Sequence, residues 1–486
     1  MHMAEKKQEI EKAEALTAKK QDFSNWYNQI LSAAELLDKR YNVKGCYVWL
    51  NYGYEMMLNI KAKWDKLFKT NKYKEMYFPL LVPVEYAEQN ESWWNGFKTQ
   101  AFWAKGYDEP EATHILRPTG EPAMYPMFKL WIRSWKDLPL RIYETVSSFR
   151  YETGHTRPII RDREITVWYE IHTASATKEE SEQEIVKHME MIDKVWEHCA
   201  VVPLKVQKPE WECFPGAVGA IEYYGIMPNG KAMENGSFNN LGQAYAKKFD
   251  LKFRDKDEKE KHVWMTCTGN GARLLAAVVG EHGDDYGLII PPKIAPIEVM
   301  IVPIYKKETK DEVEKAACKL YDKLEKEFKT EIDLRDDIRP GSKFYDAEIK
   351  GIPIRIEIGP KDIKEKSVVL VRRDKRQKKK VKQDKVASEI KTLLKDIQYS
   401  MYKKAQENFK KMIVEVEDKK GIKDAINNKK VAKIFWDKSG DCWDEIKAIM
   451  EGIELFGTDL NEAKEPGKCA ICGKPTKTIG YVANTY

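Results

Sequence analysis

Between residues 45 and 166 the chain alternates short aromatic or β-branched runs with glycine and proline turns: GCYVWLNYG, MYFPLLVP, THILRPTGE, LRIYETVSSFRYE and IIRDREITVWYE. Runs of that length and spacing pair as antiparallel strands, whereas a parallel array needs a long crossover between strands. The pattern predicts an antiparallel sheet with inserted helices. GSFNNLGQAYAKKFDLKF and KHVWMTCTGNGARLLAAVV add further strand and helix pieces to the same domain. Helical spacing of Ile185, His188, Met189, Ile192 and Trp196 predicts a helix from Thr177 to Cys199. Two helices are expected in residues 8 to 40, from Ile10, Ala13 and Leu16 and then Phe23, Trp26, Ile30, Ala33 and Leu37, ending at Lys39-Arg40.

The proline-rich PPKIAP marks a boundary, and the pattern changes beyond it. IEVMIVPIY, a helix from Lys310 to Phe328, EIDLRDD, IPIRIEIG, SVVLVRR and a helix from Lys385 give β-α-β-β-α spacing, that of a compact α/β domain. The remainder holds two charged helical stretches and a cysteine cluster. Three domains are expected, at residues 20–290, 297–400 and 405–486, and 486 residues with 42% hydrophobic content suffice for more than one core.

No run of about 18 apolar residues occurs, and the first residues are charged, so a cytoplasmic protein with no membrane partner is expected. The net charge of +6 is concentrated: Arg372 to Lys385 holds nine Lys/Arg against two Asp, leaving the rest nearly balanced. Such a stretch suits a polyanion such as RNA, or is a solvated linker or helix face. The eight cysteines are too scattered for a disulfide scaffold, and only Cys469-x-x-Cys472 forms a local pattern.

The segment FRYETGHTRPIIRDREI carries the most chemistry. If it is strand, turn and strand, Arg150 projects with Glu152, and Arg161 with Arg163. Guanidinium forks suit phosphate oxygens and a carboxylate accepts from an exocyclic amine, which describes a nucleotide pocket; a cross-strand ion-pair ladder is the alternative. Later, Gly269-x-Gly271 precedes a helix carrying Arg273 in its first turn, but the third glycine of a dinucleotide fingerprint is missing, and no phosphate-binding Gly-x4-Gly-Lys-Ser/Thr run exists.

Taken in order, these segments resemble the three motifs of class II aminoacyl-tRNA synthetases. YNVKGCYVWLNYGYEMMLNIKAKW with YFPLLVP is similar to motif 1, including Pro79 at the family's dimer interface; residues 149 to 165 are similar to motif 2; Gly269 through His282 to motif 3. LRPTGEPAMYPMF, REITVWYEIHTASAT and LRDDIRPGSKFYDAEIKGIPIRIEIGPKD resemble the archaeal and eukaryotic prolyl-tRNA synthetases, over residues 20 to 486. The resemblance implies an α+β catalytic domain with an antiparallel sheet and flanking helices, an α/β anticodon-binding domain and a small C-terminal α+β zinc-type module. It implies ATP-dependent aminoacylation of tRNA through an aminoacyl-adenylate, with Mg²⁺ on the phosphates and a homodimer as the working form.

Residue by residue, it implies that Arg150 and Arg273 bind the ATP phosphates as the catalytic pair, with Glu152 near the adenine amine and Arg161 at the triphosphate tail. Glu234 and Ser237 fall at further ATP positions. Thr119, Glu121, Arg150, Glu170, His172, Asn239, Thr268 and Asn270 fall around the amino acid. The chain departs from the family at several of these: Thr268 stands where an aromatic wall is usual, Glu234 where glutamine is, and Asn239 where histidine is. A small residue for a ring opens volume, and amides suit an apolar pyrrolidine poorly. Proline onto a proline tRNA is the leading expectation; the alternatives are a paralogue charging a different small amino acid and a non-catalytic RNA-binding descendant. The separation of about 100 residues between motifs 2 and 3 is too short for the large editing insertion of many bacterial relatives.

Arg335, Lys343, Glu348 and Arg355 are the candidate tRNA contacts of the second domain, with phosphate contacts from Arg372 to Lys385. Cys442, Cys469 and Cys472 supply three legs of a tetrahedral zinc site, and Asp437 stands where the family's first cysteine ligand would be; a carboxylate is an acceptable, harder substitute.

Overall fold

The computed structural model describes residues 15–486. The predicted antiparallel sheet forms and extends far past the segments that predicted it. Eleven strands lie in the order Ile413–Glu415, Val431–Phe435, Ile479–Thr485, Ile453–Asp459, Leu204–Gln207, Gly219–Ile226, Lys231–Gly242, Trp264–Asn270, Glu164–Ser175, Leu140–Phe149 and Lys74–Glu75. Successive neighbours are antiparallel except at the two edges, where Ile413–Glu415 and Lys74–Glu75 pair in parallel with the next strand. The C-terminal segment, expected as a separate small module, thus continues the catalytic sheet. The seam is Thr458 opposite Gln207 and Asp459 opposite Val206, and the last strand also touches Lys231–Gly242 through Asn484 and Thr485. Around that seam Leu204, Val206 and Tyr224 share one core with Trp436, Trp443, Leu455 and Val482.

Helices cover one face of the sheet. Helix Asn51–Thr70 buries Met56, Ile60, Trp64 and Phe68 at four-residue spacing, the stripe a helix needs to lie on a sheet. Trp64 meets Tyr169 with ring centroids 4.8 Å apart, and Phe68 meets Tyr143 at 4.9 Å. Helix Lys178–His198 starts with a capping box, Thr177 and Glu180 each satisfying the other's backbone N–H. Its one buried carboxylate, Glu184, is compensated by Arg141 at 2.7 Å, by Lys187 at 2.8 Å and by the Tyr73 hydroxyl at 2.6 Å. On the opposite face, residues 78–132 and 241–267 form a second core, and the cleft lies against that side.

Of the two helices expected in residues 8 to 40, Ile10 and Ala13 lie outside the described residues, and Leu16 sits in irregular chain. The second is Phe23–Ala33; it stops short of Lys39-Arg40 because Glu35 turns left-handed, at φ 57°, and Leu37 enters a two-residue strand.

The next domain is a five-stranded sheet in the order Thr330–Ile332, Val299–Pro303, Ile354–Ile358, Ser367–Arg372, Lys378–Lys382, packed on helices Lys310–Leu324 and Val386–Met412. Three elements there escape the β-α-β-β-α reading, among them the short helix Pro360–Lys364. Helix Pro340–Ile349 starts with proline and glycine, which read as a turn. Strand Lys378–Lys382 has one apolar residue, Val381, among four lysines. It is the sheet's edge, where lysines block further pairing. The basic stretch is therefore neither linker nor helix face, and Lys378, Lys379 and Lys380 are paired with Glu357, Glu389 and Glu365.

Candidate active site

Three central strands and the first turn of one helix build the cleft, and alternation along each strand decides which side chains reach it. On Glu164–Ser175, Trp168 and Glu170 line the cavity while Tyr169 and Ile171 enter the helix-side core. On Trp264–Asn270 the cavity side is Cys267 and Gly269; on Lys231–Gly242 it is Ser237 and Asn239, with Glu234 beside a bulge. Two adjoining cavities of about 220 and 510 Å³ result, and Glu212, Glu222, Glu234 and Arg273 are walls of both.

The smaller cavity ends in a buried carboxylate cluster. Glu170 accepts from Thr119 Oγ1 at 2.8 Å, Gly120 N at 2.7 Å and Trp168 Nε1 at 2.7 Å, with His172 Nε2 at 3.5 Å. Burial alone pushes its carboxyl up, but His172, Arg117 and Thr119 outweigh that and hold it down at about 2. Glu121, behind it, lies 2.8 Å from the same Thr119 hydroxyl, whose single proton goes to one carboxylate at a time, and accepts from Trp93 Nε1 at 3.3 Å; its carboxyl is pushed up by burial and by Glu170. His172 shares a hydrogen bond with the Tyr125 hydroxyl at 2.9 Å. The cluster thus keeps a firmly ionised carboxylate on the cavity wall, which suits a cation.

At the other end stand Arg150 and Arg273. Arg150 donates to the Pro118 carbonyl at 3.3 Å and lies over Phe97 and Trp168, 5.6 and 5.9 Å from their ring centres. Arg273, at the start of helix Arg273–His282, donates to the carbonyls of Ile160 at 2.8 Å and Glu234 at 2.9 Å. Burial and the Arg273 charge pull Arg150 below its ordinary value. A buried guanidinium with a second positive charge beside it is a site that an anion relieves. Glu222, on the shared wall, is pushed up to about 7 by burial and by Glu234.

Several placements differ from the sequence reading. Residues 150 to 163 connect two strands and belong to neither, because the strands end at Phe149 and resume at Glu164. Arg161 pairs with Glu152 at 2.8 Å, as in the ladder alternative, and both sit on the wall of the larger cavity. Arg163 turns away to the Glu152 carbonyl and stacks over Tyr151 at 4.2 Å. Thr268 and Asn270 do not face the amino-acid end, since they occupy the alternate positions of their strand. Thr268 is buried against the helix layer with its hydroxyl 2.9 Å from His188 Nδ1, and Asn270 accepts from the Gly271 N–H. The aromatic wall is supplied by Trp168, which sequence reasoning missed although it stands two residues before Glu170 on the same strand face. A Cβ on Gly269 would fall 2.5 Å from the Trp168 indole, so only glycine leaves the ring its place. Phe97, Glu222 and the 212–214 segment also went unnoticed, because they come from elements with no motif of their own.

Of the four tRNA candidates only Arg335 is exposed, and it is held by Asp333 and Asp346 at 2.6 and 2.7 Å. Lys343 is buried and donates to the Asp333 carbonyl at 2.9 Å; Arg355 is buried between Glu357 at 2.9 Å and Glu348 at 3.5 Å. The charges of Lys343 and Arg355 are spent inside the domain.

Asp437, Cys442, Cys469 and Cys472 present ligand atoms all within 4.8 Å of one another. Cys442 and Cys469 sulfurs are 3.8 Å apart, and Cys472 Sγ is 3.3 Å from Asp437 Oδ2. Tetrahedral ligands at a Zn–S distance of ~2.3 Å stand ~3.8 Å from each other, so one carboxylate and three thiols gathered this closely fit a zinc ion.

Family comparison agrees with this geometry. The chain matches the class II tRNA synthetase core domain (G, H, P, S and T) over residues 97–282, an anticodon-binding domain over 298–393 and the prolyl-tRNA synthetase C-terminal domain over 420–486. It is 38% identical to the proline–tRNA ligase of Pyrococcus abyssi over 474 residues, covering 96% of this chain and 98% of the relative. The Methanosarcina mazei proline–tRNA ligase is also 38% identical, over 481 residues, covering 97% and 99%. Among solved structures, Giardia lamblia prolyl-tRNA synthetase in complex with prolyl-adenylate superimposes with a TM-score of 0.92 at 32% identity, covering 97% of this chain and 100% of the other. With an antiparallel catalytic sheet, paired cleft arginines and relatives matched end to end, the chain belongs to the prolyl-tRNA synthetase family of class II aminoacyl-tRNA ligases.

Proposed function

We propose that the chain activates proline with ATP, forming prolyl-adenylate and pyrophosphate, and transfers the prolyl group to tRNA in the cytoplasm. The observation that carries this reading is the pairing, within one 220 Å³ cavity, of the Thr119–Glu170 cluster and Arg150 with Arg273. An amino acid bound there has its ammonium at the carboxylate end and its carboxylate directed toward the guanidiniums. A carboxylate oxygen then attacks the α-phosphorus of ATP, and the bond to the pyrophosphate oxygen breaks. No side chain has to move a proton in that step. Positioning and charge neutralisation carry it, and Arg150 and Arg273 supply both. Mg²⁺ carried on the triphosphate would add neutralisation, and Glu234, which lines both cavities, would be the carboxylate available to hold it. In the second step a terminal ribose hydroxyl of tRNA attacks the activated carbonyl and AMP leaves.

Proline suits the cavity because the departure at Thr268 leaves its shape intact. Trp168, Phe97 and Phe214 form apolar walls, and Thr119 and Glu170 place oxygens where two ammonium N–H groups need acceptors. Asn239 and Glu234 remain the substituted residues on the wall. A non-catalytic descendant has no use for two arginines lining one cleft, one of them buried beside the other's charge. The exposed Arg335 and the lysine edge strand are the surfaces we assign to tRNA phosphates. Among the described residues no helix is long and apolar enough to cross a membrane. A homodimer is supported by the exposed apolar residues Tyr77 and Leu81 on either side of Pro79 in the chain, and by Tyr54 and Leu58 on the preceding helix Asn51–Thr70.

Purified chain is expected to catalyse ATP–pyrophosphate exchange with proline and none of the other nineteen amino acids; exchange with another amino acid alone overturns the assignment. Arg273→Ala should lower the exchange rate about 10²- to 10³-fold, as loss of one preorganised charge donor does elsewhere.

In the same assay Thr268→Trp separates the two views of the pocket. A ring at 268 pointing toward helix Lys178–His198 is predicted to lower the thermal midpoint and leave the amino-acid preference unchanged. A shifted preference at unchanged stability would contradict the observed side-chain direction.

We further propose one structural zinc per chain at Asp437, Cys442, Cys469 and Cys472. Elemental analysis after chelator-free purification should return about one equivalent, falling well below that in a Cys469→Ser variant. Retention of zinc by that variant would place the ion elsewhere.

A further inference from the structure

The segment Pro209–Ala217 is built like a strap over the amino-acid end of the cleft. Its middle residues, Glu212, Cys213 and Phe214, line the smaller cavity. Its far end is fixed to the catalytic domain: Phe214 meets Phe97 at 5.8 Å, and the Tyr245 hydroxyl donates to the Pro215 carbonyl at 2.6 Å. Its near end, the short turn Glu210–Glu212, is fixed to a different part of the chain. Trp211 stands edge-on to Trp443, with ring centroids 6.0 Å apart at 89°, and Glu212 pairs with Lys447 at 3.0 Å. Both partners belong to helix Gly440–Lys447 of the C-terminal region. Trp443 is a fully packed member of that region's core, whereas Trp211 is 54% exposed, so the helix is the rigid side of the contact and the strap the adaptable side.

We propose that Trp443 and Lys447 are positioning residues for amino-acid binding: helix Gly440–Lys447 holds the Glu210–Glu212 turn so that Cys213 and Phe214 close the wall against the substrate ring. The C-terminal region then contributes to the affinity for the amino acid without touching it. The contact is physically suited to this. An edge-to-face ring pair fixes distance and angle, and an ion pair beside it fixes the turn's rotation. Glu212 also reaches the larger cavity, but Cys213 and Phe214 line only the smaller, so the effect falls on the amino acid more than on ATP.

The inference rests on the assignment of the smaller cavity to the amino acid, and the test keeps the two apart. Wild-type chain, Trp211→Ala, Trp211→Phe and Lys447→Glu are compared in ATP–pyrophosphate exchange, with KM measured separately for proline and ATP and the thermal midpoint recorded. Trp211→Ala and Lys447→Glu should raise the proline KM about three- to tenfold, the worth of one aromatic or charged contact, with the ATP KM and the midpoint nearly unchanged. Trp211→Phe, which keeps a ring edge, should recover most of the loss. A proline KM within twofold of wild type in both disruptive variants overturns the proposal, as does a rise matched by an equal fall in thermal midpoint. Wild-type chain that fails to activate proline at all overturns the cavity assignment and the proposal with it.

Discussion

A single buried carboxylate organises the cleft. Glu170 lies in the middle of the central sheet, where an ionised group survives only if its oxygens are fully hydrogen-bonded. Thr119, Gly120, Trp168 and His172 meet that demand, and in doing so they join the 114–121 segment to one face of strand Glu164–Ser175. The approach of Gly120 is close enough that a Cβ there would fall within 2.3 Å of Glu170 Oε2, so glycine is required at that turn. Once the carboxylate is fixed, Trp168 is fixed by its indole N–H, the cavity wall by Trp168, and Arg150 by the ring beneath it. The charge needed for recognition and the packing needed for shape come from the same hydrogen bonds.

The sheet carries this local order a long way. Its C-terminal strands meet the catalytic strands through Gln207 and Val206, the residues immediately before the strap that lines the cleft. Tyr224, on the next strand, stacks on Phe456 at 4.7 Å, and its hydroxyl donates to Glu222 at the shared wall of the two cavities. A region that local sequence marks as a separate module is in this way a structural neighbour of the chemistry. Cys442 of the cysteine cluster lies on the helix that borders the strap.

Much of the architecture was legible because the governing signals are local. The helical spacing of Ile185, His188, Met189, Ile192 and Trp196 announced a helix, the Gly/Pro-punctuated aromatic runs announced antiparallel strands, and Asp437 with three cysteines announced a ligand set whose atoms the structure gathers. What remained hidden depends on direction or on distant partners. Thr268 occupies a position that resemblance associates with the pocket, yet which face it takes follows from the strand's phase: Cys267 points one way and Thr268 the other. Trp168 could have been found by counting two back from Glu170, but its role needs the missing Cβ of Gly269 on a strand about a hundred residues later. Lys343 and Arg355 look like RNA contacts in sequence and are neutralised internally by carboxylates that only the fold brings near. The lysine-rich strand reads as solvated because an edge strand needs few apolar residues.

The account's central claim is that one cavity holds a cation at the Glu170 end and a phosphate at the arginine end, with an apolar ring between. Calorimetric titration with a non-hydrolysable sulfamoyl analogue of prolyl-adenylate, set beside its alanyl counterpart, tests that claim most directly. The prolyl compound should bind at one site per chain and roughly tenfold or more tighter than the alanyl one, since the ring contributes apolar contacts that alanine lacks. Equal affinity for the two analogues, or binding that Arg150→Ala leaves unchanged, would contradict it.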